Sequence, residues 1–293
     1  MKKIKKKKSN ISLYFIIIGV LLAVYTLAIF LMGVWAVGAS LKTSESFAAD
    51  PIWFNGDFHF ENYVTAFLYG FDKIIDGVRH VYIEEMFLNS IIYSAGGALC
   101  QTFCTCVTAY LIVKYDNKFS RFMHNVIIVT MILPIVGSLP SQIQIMDYLH
   151  LRNTFLGTFV MHYGFTNIYY LIFYAAYKKL PWSYAESAFI DGANHFQVFF
   201  KIMMPLTRSL FGTTFILFFI TYWNDYQVPM MFLEKNPVLA LGLYEFFQSY
   251  SNQLAVGTVK IAGGIIVLIP LLLLFFIFRN KLMDNMTEGG IKG

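Results

Sequence analysis

The sequence predicts an all-α membrane protein with six membrane-crossing helices. Three observations lead there. Of the 293 residues, 57% are hydrophobic and only 13% are charged, against roughly 25% charged in a typical soluble domain. A soluble core of this size leaves that much apolar side chain in exposed patches. Six apolar stretches, 11–37, 86–113, 122–146, 155–177, 207–233 and 258–278, each reach the roughly 20 residues a helix needs to cross a bilayer. None alternates at period two, which disfavours a β-barrel. The 30 Phe and 19 Tyr exclude disorder. Three Cys inside one apolar stretch exclude a disulfide-stapled secreted scaffold.

The first stretch follows Lys2, Lys3 and Lys5 to Lys8. From Ile11 to Gly38 there is no charge over 28 residues, well beyond the roughly 7–15 of a signal peptide, so an uncleaved anchor is expected. Segment 1–10 is then a basic cytoplasmic start. The 48 residues 38–85, with Pro51, Trp53 and several acids, are too polar to insert; a short helix is expected around Glu61 to Tyr69. The second stretch holds Cys100, Cys104 and Cys106. No His or acid joins them, so they read as small packing residues and no metal site is expected. The third stretch carries Pro134, Gly137, Pro140, Gln142 and Gln144. Two prolines perturb a helix, either as a broken helix lining a path or as a kink near the membrane edge. The fourth, 155–177, reads as one helix.

The fifth ends in Thr221, Tyr222, Trp223, Asn224, Asp225, Tyr226 and Gln227. Polar groups at bilayer depth face a cavity or a partner helix. This cluster offers hydroxyl partners and aromatic faces to a sugar, or Asp225 caps a short outer helix and acts as a hinge before Pro229. The sixth stretch leads into a tail, 279–293. Residues 11–278 form one membrane domain without internal repeats. With both termini inside, 16 of the 22 Lys and Arg fall on the cytoplasmic side, as the positive-inside rule asks.

Segment 178–206, between the fourth and fifth stretches, is more than a connector. Ser183 with Glu186, and Asn194 with Gln197, have the spacing of capping boxes. Gly192 stands where a left-handed residue ends the first helix, and Pro205 stops the second or starts the next span. Helix, sharp glycine turn, helix is expected. Phe189, Ala193, Phe196, Phe199 and Phe200 ask to be covered, by the chain's own helices or by a partner's groove.

The spacing Glu186-Ser187-Ala188, then Gly192 after three residues and Ile202-x-Met204-Pro205 after nine more, resembles the EAA motif. That motif is the coupling loop of ABC importer permeases, with Ser187 in place of Ala and Met204 in place of Leu. Further elements resemble the maltose-type, binding-protein-dependent carbohydrate permeases. They are Ser40-Leu41-Lys42, Glu61-Asn62-Tyr63, Leu151-Arg152-Asn153-Thr154, Trp223-Asn224-Asp225 and the terminal Gly289-Gly290-Ile291-Lys292-Gly293. The resemblance implies a type I ABC importer permease fold with cytoplasmic coupling helices, in a bacterial inner or plasma membrane. It implies a second homologous permease, two ATPase subunits (one kind or two), an extracytoplasmic solute-binding protein, and a sugar or oligosaccharide as cargo.

The chain has no phosphate-cradling G-x-x-x-x-G-K-[ST] loop. It is therefore expected to be no enzyme and to hold no cofactor, with ATP and Mg in the partner ATPases; no nucleic acid is expected. Glu186, Ser187, Ala188, Asp191, Gly192, Ala193, Phe199, Ile202 and Pro205 are the expected coupling residues, with Glu186 and Asp191 open to a purely structural role as well. Gly289, Gly290 and Lys292 are expected to reach the ATPases. Tyr222, Trp223, Asn224, Asp225, Gln142 and Gln144 are candidates for the path or its gate. Glycerol 3-phosphate or another small solute is the alternative cargo, and an ion-coupled secondary transporter the alternative class.

Overall fold

A computed structural model describes residues 13–53, 56, 58–133, 137–249 and 256–288. The basic start 1–10, Pro134, and Gly289, Gly290 and Lys292 lie outside the described residues. Helices carry the fold, and a two-stranded hairpin is the only sheet among those residues. The chain divides into two units, residues 1–67 with 250–266, and residues 68–249 with 267–293.

In the first unit, α1 (Leu13–Ser40) is apolar all round and exposed along its length, as a lipid-facing helix is. It ends where Ser40-Leu41-Lys42 meets Glu61-Asn62-Tyr63. The buried Asn62 amide donates to the carbonyls of Ser40 (2.7 Å) and Lys42 (2.8 Å). The Tyr63 and Ser40 hydroxyls share a bond of 2.7 Å. These contacts satisfy carbonyls that the helix end leaves open. Lys42 is 1% exposed, and its ammonium donates to the carbonyls of Asp50 and Trp53. Asp50 in turn accepts from the amides of Ile52 (2.9 Å) and Trp53 (3.1 Å), which hold its carboxyl below the usual range. Between the two elements lies α2 (Ser44–Ala49), capped by Thr43. The expected helix near 61–69 is α3 (Glu61–Thr65), extended by a π-turn over Ala66–Gly70.

The second unit opens with a hairpin the sequence reading did not anticipate, β1 (Lys73–Ile75) against β2 (Arg79–Val81), with Lys73 opposite Val81. Its turn residues Asp76 and Gly77 both have positive φ, the Asp-Gly turn that matches strand twist. Next, α4 (Ile83–Lys114) forms the centre of the unit and packs most extensively against α8 (Ile168–Lys179) and α12 (Arg208–Trp223).

Three helices, 14–40, 83–114 and 257–279, are long and apolar enough to cross a membrane among the described residues. The pair 195–206 and 208–223, bent by 78°, makes a fourth if it crosses as one. The remaining stretches are divided. The third becomes α5 (Lys118–Ile132) and α6 (Leu139–Tyr148). Gly137 between them has φ +81°, and so a broken helix replaces the simple kink.

The fourth becomes α7 (Phe155–Met161) and α8, where one continuous helix was expected. Asn167 explains the break: its side-chain oxygen accepts from the amides of Tyr169 and Tyr170 and starts α8 afresh. The fifth becomes α12 and α13 (Gln227–Phe232). After α14 (Leu239–Gln248), α15 (Gly257–Glu288) continues ten residues past the expected end at 278. No Gly or Pro interrupts it between Pro270 and Gly289.

Candidate functional site: a surface lever and a buried polar network

Segment 178–206 forms helix, turn and helix as expected. Its first helix, α9 (Ser183–Ile190), does not use the expected Ser183–Glu186 capping box. Trp182 is the N-cap, without a side-chain cap bond, and its carbonyl accepts from the amides of Ala185 and Glu186. The turn begins one residue early, which places Ser183 inside it. The end of α9 follows the sequence closely. Gly192 has φ +86°; its amide bonds to Phe189 O (3.0 Å) and that of Ala193 to Ala188 O (2.9 Å). This is the double bond of a Schellman turn. The Asn194–Gln197 capping box is present with both bonds at 2.9 Å and opens α10 (His195–Val198). A π-turn over Phe199–Met203, then α11 (Met204–Leu206) with Pro205 in its first turn, lead into α12.

The lever has two faces. Ala185, Ala188, Val198, Phe199 and Met203 are buried in one core with Tyr110, Tyr170, Phe173, Tyr177 and Cys106. Phe199, expected as a coupling residue, is thus a core residue, as is Ala188. The Tyr115 hydroxyl bonds His195 Nδ1 at 2.7 Å, and Lys114 donates to Leu180 O. Tyr184, Glu186, Ser187, Asp191, Gly192 and Pro205 lie on the exposed face. Ile190 at 86% and Phe196 at 75% exposure form its apolar tips. Ala193 and Ile202 are half-buried at its edge. Of the apolar set, the chain's own helices cover Phe199 and leave Phe196 exposed.

The second feature is a polar network deep between α4, α7 and α12. The Tyr93 hydroxyl donates to Asp225 Oδ2 at 2.6 Å and lies 3.0 Å from His162 Nε2. The Tyr222 ring packs 4.0 Å from that of His162, and its hydroxyl donates to Gln101 Oε1. Gln101 donates to Gly164 O at 3.2 Å. Gly97 permits this approach, since a Cβ there would meet His162 and Tyr222 at 3.0 and 3.1 Å. Asp225 Oδ1 also accepts from the amides of Gln227 (2.9 Å) and Val228 (3.2 Å). It therefore starts α13, the capping alternative raised from the sequence.

Trp223 is buried against Phe219 and Phe87. Asn224 is exposed and donates to Ile220 O. Gln142 and Gln144 are exposed on α6, apart from this network. Sequence reasoning missed Tyr93, Gln101 and His162. A histidine within an apolar stretch, as His162 is, is itself a signal.

Leu151-Arg152-Asn153-Thr154 forms a clip. Asn153 has φ +60°. It donates its amide to Phe232 O (2.8 Å) and accepts from the amide of Lys235 (3.1 Å). Thr154 caps α7, and a Cβ at Gly157 would lie 2.1 Å from Leu151 O.

Long apolar helices and buried interhelical polar contacts define an all-α membrane permease fold. It resembles the crystal structure of a bacterial ABC transporter involved in the import of the acidic polysaccharide alginate. The TM-score is 0.74 at 20% identity, covering 91% of this chain and 95% of that one.

Residues 101–286 match the family described as binding-protein-dependent transport system inner membrane component, and the chain belongs to that family. Its members are permease subunits of ABC importers and are not themselves enzymes. Among curated relatives, the probable starch degradation products transport system permease protein AmyC of Thermoanaerobacterium thermosulfurigenes is 26% identical over 75% of this chain and 80% of its own length. The melibiose/raffinose/stachyose import permease protein MelC of Bacillus subtilis is 23% identical over 94% and 96%. The chain is thus a multi-pass membrane protein of the carbohydrate ABC importer permease family, which works with a substrate-binding protein, a second permease and ATPase partners.

Proposed function

We infer that this chain is one half of a sugar or oligosaccharide pore and that α9 to α11 carry the stroke of the partner ATPases into it. The observation that carries the reading is the lever's two-faced construction. A buried face fixed by Ala185, Val198 and Met203 joins it rigidly to α4 and α8, while Ile190 and Phe196 stand free beside exposed Glu186 and Asp191. Apolar tips flanked by acids fit a cleft with basic residues at its rim.

Two ATPase copies bind ATP with Mg, a second permease completes the pore, and an external binding protein delivers the sugar. The broken pairs α5–α6 and α7–α8 each cross the bilayer as one span, giving six crossings with both termini cytoplasmic. The tail residues Gly289, Gly290 and Lys292 reach toward the ATPases. The cargo class rests on the relatives, which include permeases for starch degradation products and for melibiose, raffinose and stachyose; glycerol 3-phosphate stays the alternative.

The test is co-expression with a second permease and ATPase, purification in nanodiscs, and comparison of wild type with Gly192→Asp. The wild-type complex is expected to hydrolyse ATP faster with a sugar-loaded binding protein. The variant should insert normally and lose ATPase docking or coupling. Normal coupling in the variant would make 178–206 an ordinary connector.

A further inference from the structure

α4, α5 and α8 leave a polar recess of about 370 Å³ at the end of the unit that carries the lever. It sits where their apolar runs stop: α4 ends at Lys114, α5 begins after its cap Asn117, and α8 ends at Lys179. Arg121, His124 and Asn125 line it from one face of α5, at spacings of three and four residues; Tyr174 and Lys178 line it from α8, one turn apart, and Asp116, between α4 and α5, adds one carboxylate at the rim. Ile112 and Val113 give it an apolar floor.

Its cations keep donors in reserve. Arg121 uses Nε for Asp116 at 2.9 Å, and its terminal nitrogens have no hydrogen-bond partner among the described residues. Lys178 has no ion pair among them and sits 5.8 Å from the Tyr174 ring. Tyr174 is held in turn by stacking on His124 at 4.4 Å, and His124 Nδ1 is bonded to Tyr170 at 2.8 Å. Beside the recess, Phe119, Phe122, Val126 and Val129 form an exposed apolar stripe along α5.

We propose that this recess binds the phosphate of an anionic phospholipid, with Lys178 and Arg121 donating to the phosphate oxygens and the acyl chains lying along the α5 stripe. Two cations, one of them shared with Asp116, beside an aromatic wall at the end of these helices suit a lipid phosphate, which offers more acceptor oxygens than one carboxylate can replace. The stripe is what separates a lipid from a soluble phosphate ester, which has no use for it. The site does not depend on the coupling role of the lever.

The experiment uses the assembled importer, delipidated in detergent and titrated with phosphatidylglycerol or phosphatidylcholine under native mass spectrometry. The wild type is expected to retain phosphatidylglycerol preferentially. Removal of both cations by Lys178→Gln with Arg121→Gln should weaken that retention about thirtyfold. Lys178→Gln alone should weaken it about fivefold, whereas Lys179→Gln, which removes one charge a residue away and outside the recess, should leave retention within about twofold of wild type.

Equal losses from Lys178→Gln and Lys179→Gln would reduce the effect to general surface charge and overturn the site. Displacement of the lipid by inorganic phosphate alone would reassign the ligand to a soluble phosphate ester and overturn the lipid reading. Cross-linking of Asn125→Cys to the second permease would show the recess covered by protein and overturn it as well. All four substituted positions are exposed, so assembly, checked by size exclusion, is expected to persist.

Discussion

Asp225 accepts three donors in the structure: the Tyr93 hydroxyl at 2.6 Å and the amides of Gln227 and Val228 at 2.9 and 3.2 Å. At 2.6 Å the bond from Tyr93 is at the short end for an O–H···O contact. Interhelical hydrogen bonds inside membranes contribute about 0.6 kcal/mol on average and reach about 1.7; this one belongs near the upper end, at about 1.5 kcal/mol. Tyr93→Phe removes the donor and keeps the ring that packs on His162 and Tyr222. Asp225→Asn keeps a carbonyl for the two amides.

The assay is a double-mutant cycle on the half-life of thermal inactivation of the assembled importer at one temperature. Each single variant should shorten the half-life, and the double variant should be no worse than the more damaging single. The coupling should be about tenfold in rate. Additive effects, with coupling below about 0.5 kcal/mol, would mean that α4 and the α12–α13 junction are not joined through this bond, and the description of the network would fall.

Asn62→Leu leaves the carbonyls of Ser40 and Lys42 buried without donors, at about 1–3 kcal/mol for each; a lower melting temperature of the purified importer checks it. Gly192→Ala meets no atom within 4 Å but must hold φ +86°, costing about 1–2 kcal/mol. Gly192→Asn should recover part of the lost coupling, read as ATP hydrolysis stimulated by the loaded binding protein. Gly157→Ala drives a Cβ to 2.1 Å from Leu151 O, so it should destabilise by at least about 1–3 kcal/mol, seen as reduced yield of folded complex. The Asp50 carboxyl is held below its ordinary 3.8, so its contribution is present above that pH and lost as pH falls through the lowered value. The protection of the Ile52 and Trp53 amides, taken as the observed exchange rate against the intrinsic rate at each pH, should fall on acidification, and Asp50→Asn should flatten that response.

The periodic and compositional signals carried far in this chain. Long apolar runs located α1, α4 and α15, and the Asn194–Gln197 and Gly192 spacings located the lever because each names a specific backbone bond. Ser183 misled because a capping box is a pattern of side chains, while Trp182 O accepts the same amides without one. The break at Asn167 was legible only as a capping residue in mid-stretch, and uniform hydropathy outweighed it. The 73–81 hairpin had its Asp-Gly signal between apolar residues, but its strands are three residues long, too short for alternation to register. Tyr93 and His162 stayed hidden because their partners are 132 and 69 residues apart in sequence, a separation no local pattern encodes.

The four short elements of the family resemblance that lie among the described residues share a physical character. Ser40 to Lys42 and Glu61 to Tyr63 are joined through the Asn62 amide. Leu151 to Thr154 fasten to 232–236 through Asn153. Trp223 is core, and Asp225 ties α4 to the start of α13. Each element sits where a chain leaves a helix with open backbone groups, and each fills them with a side chain of one geometry. Groups engaged in this way have few hydrogen bonds left for a passing sugar, so these elements fix the frame and discriminate little among cargoes. Specificity then has to come from positions between the clips. Exchanging Asn62 or Asn153 should lower the amount of folded importer while leaving its preference among sugars unchanged, measured as the ratio of uptake rates for two oligosaccharides in the same proteoliposomes. A changed ratio would place the clips in the path itself.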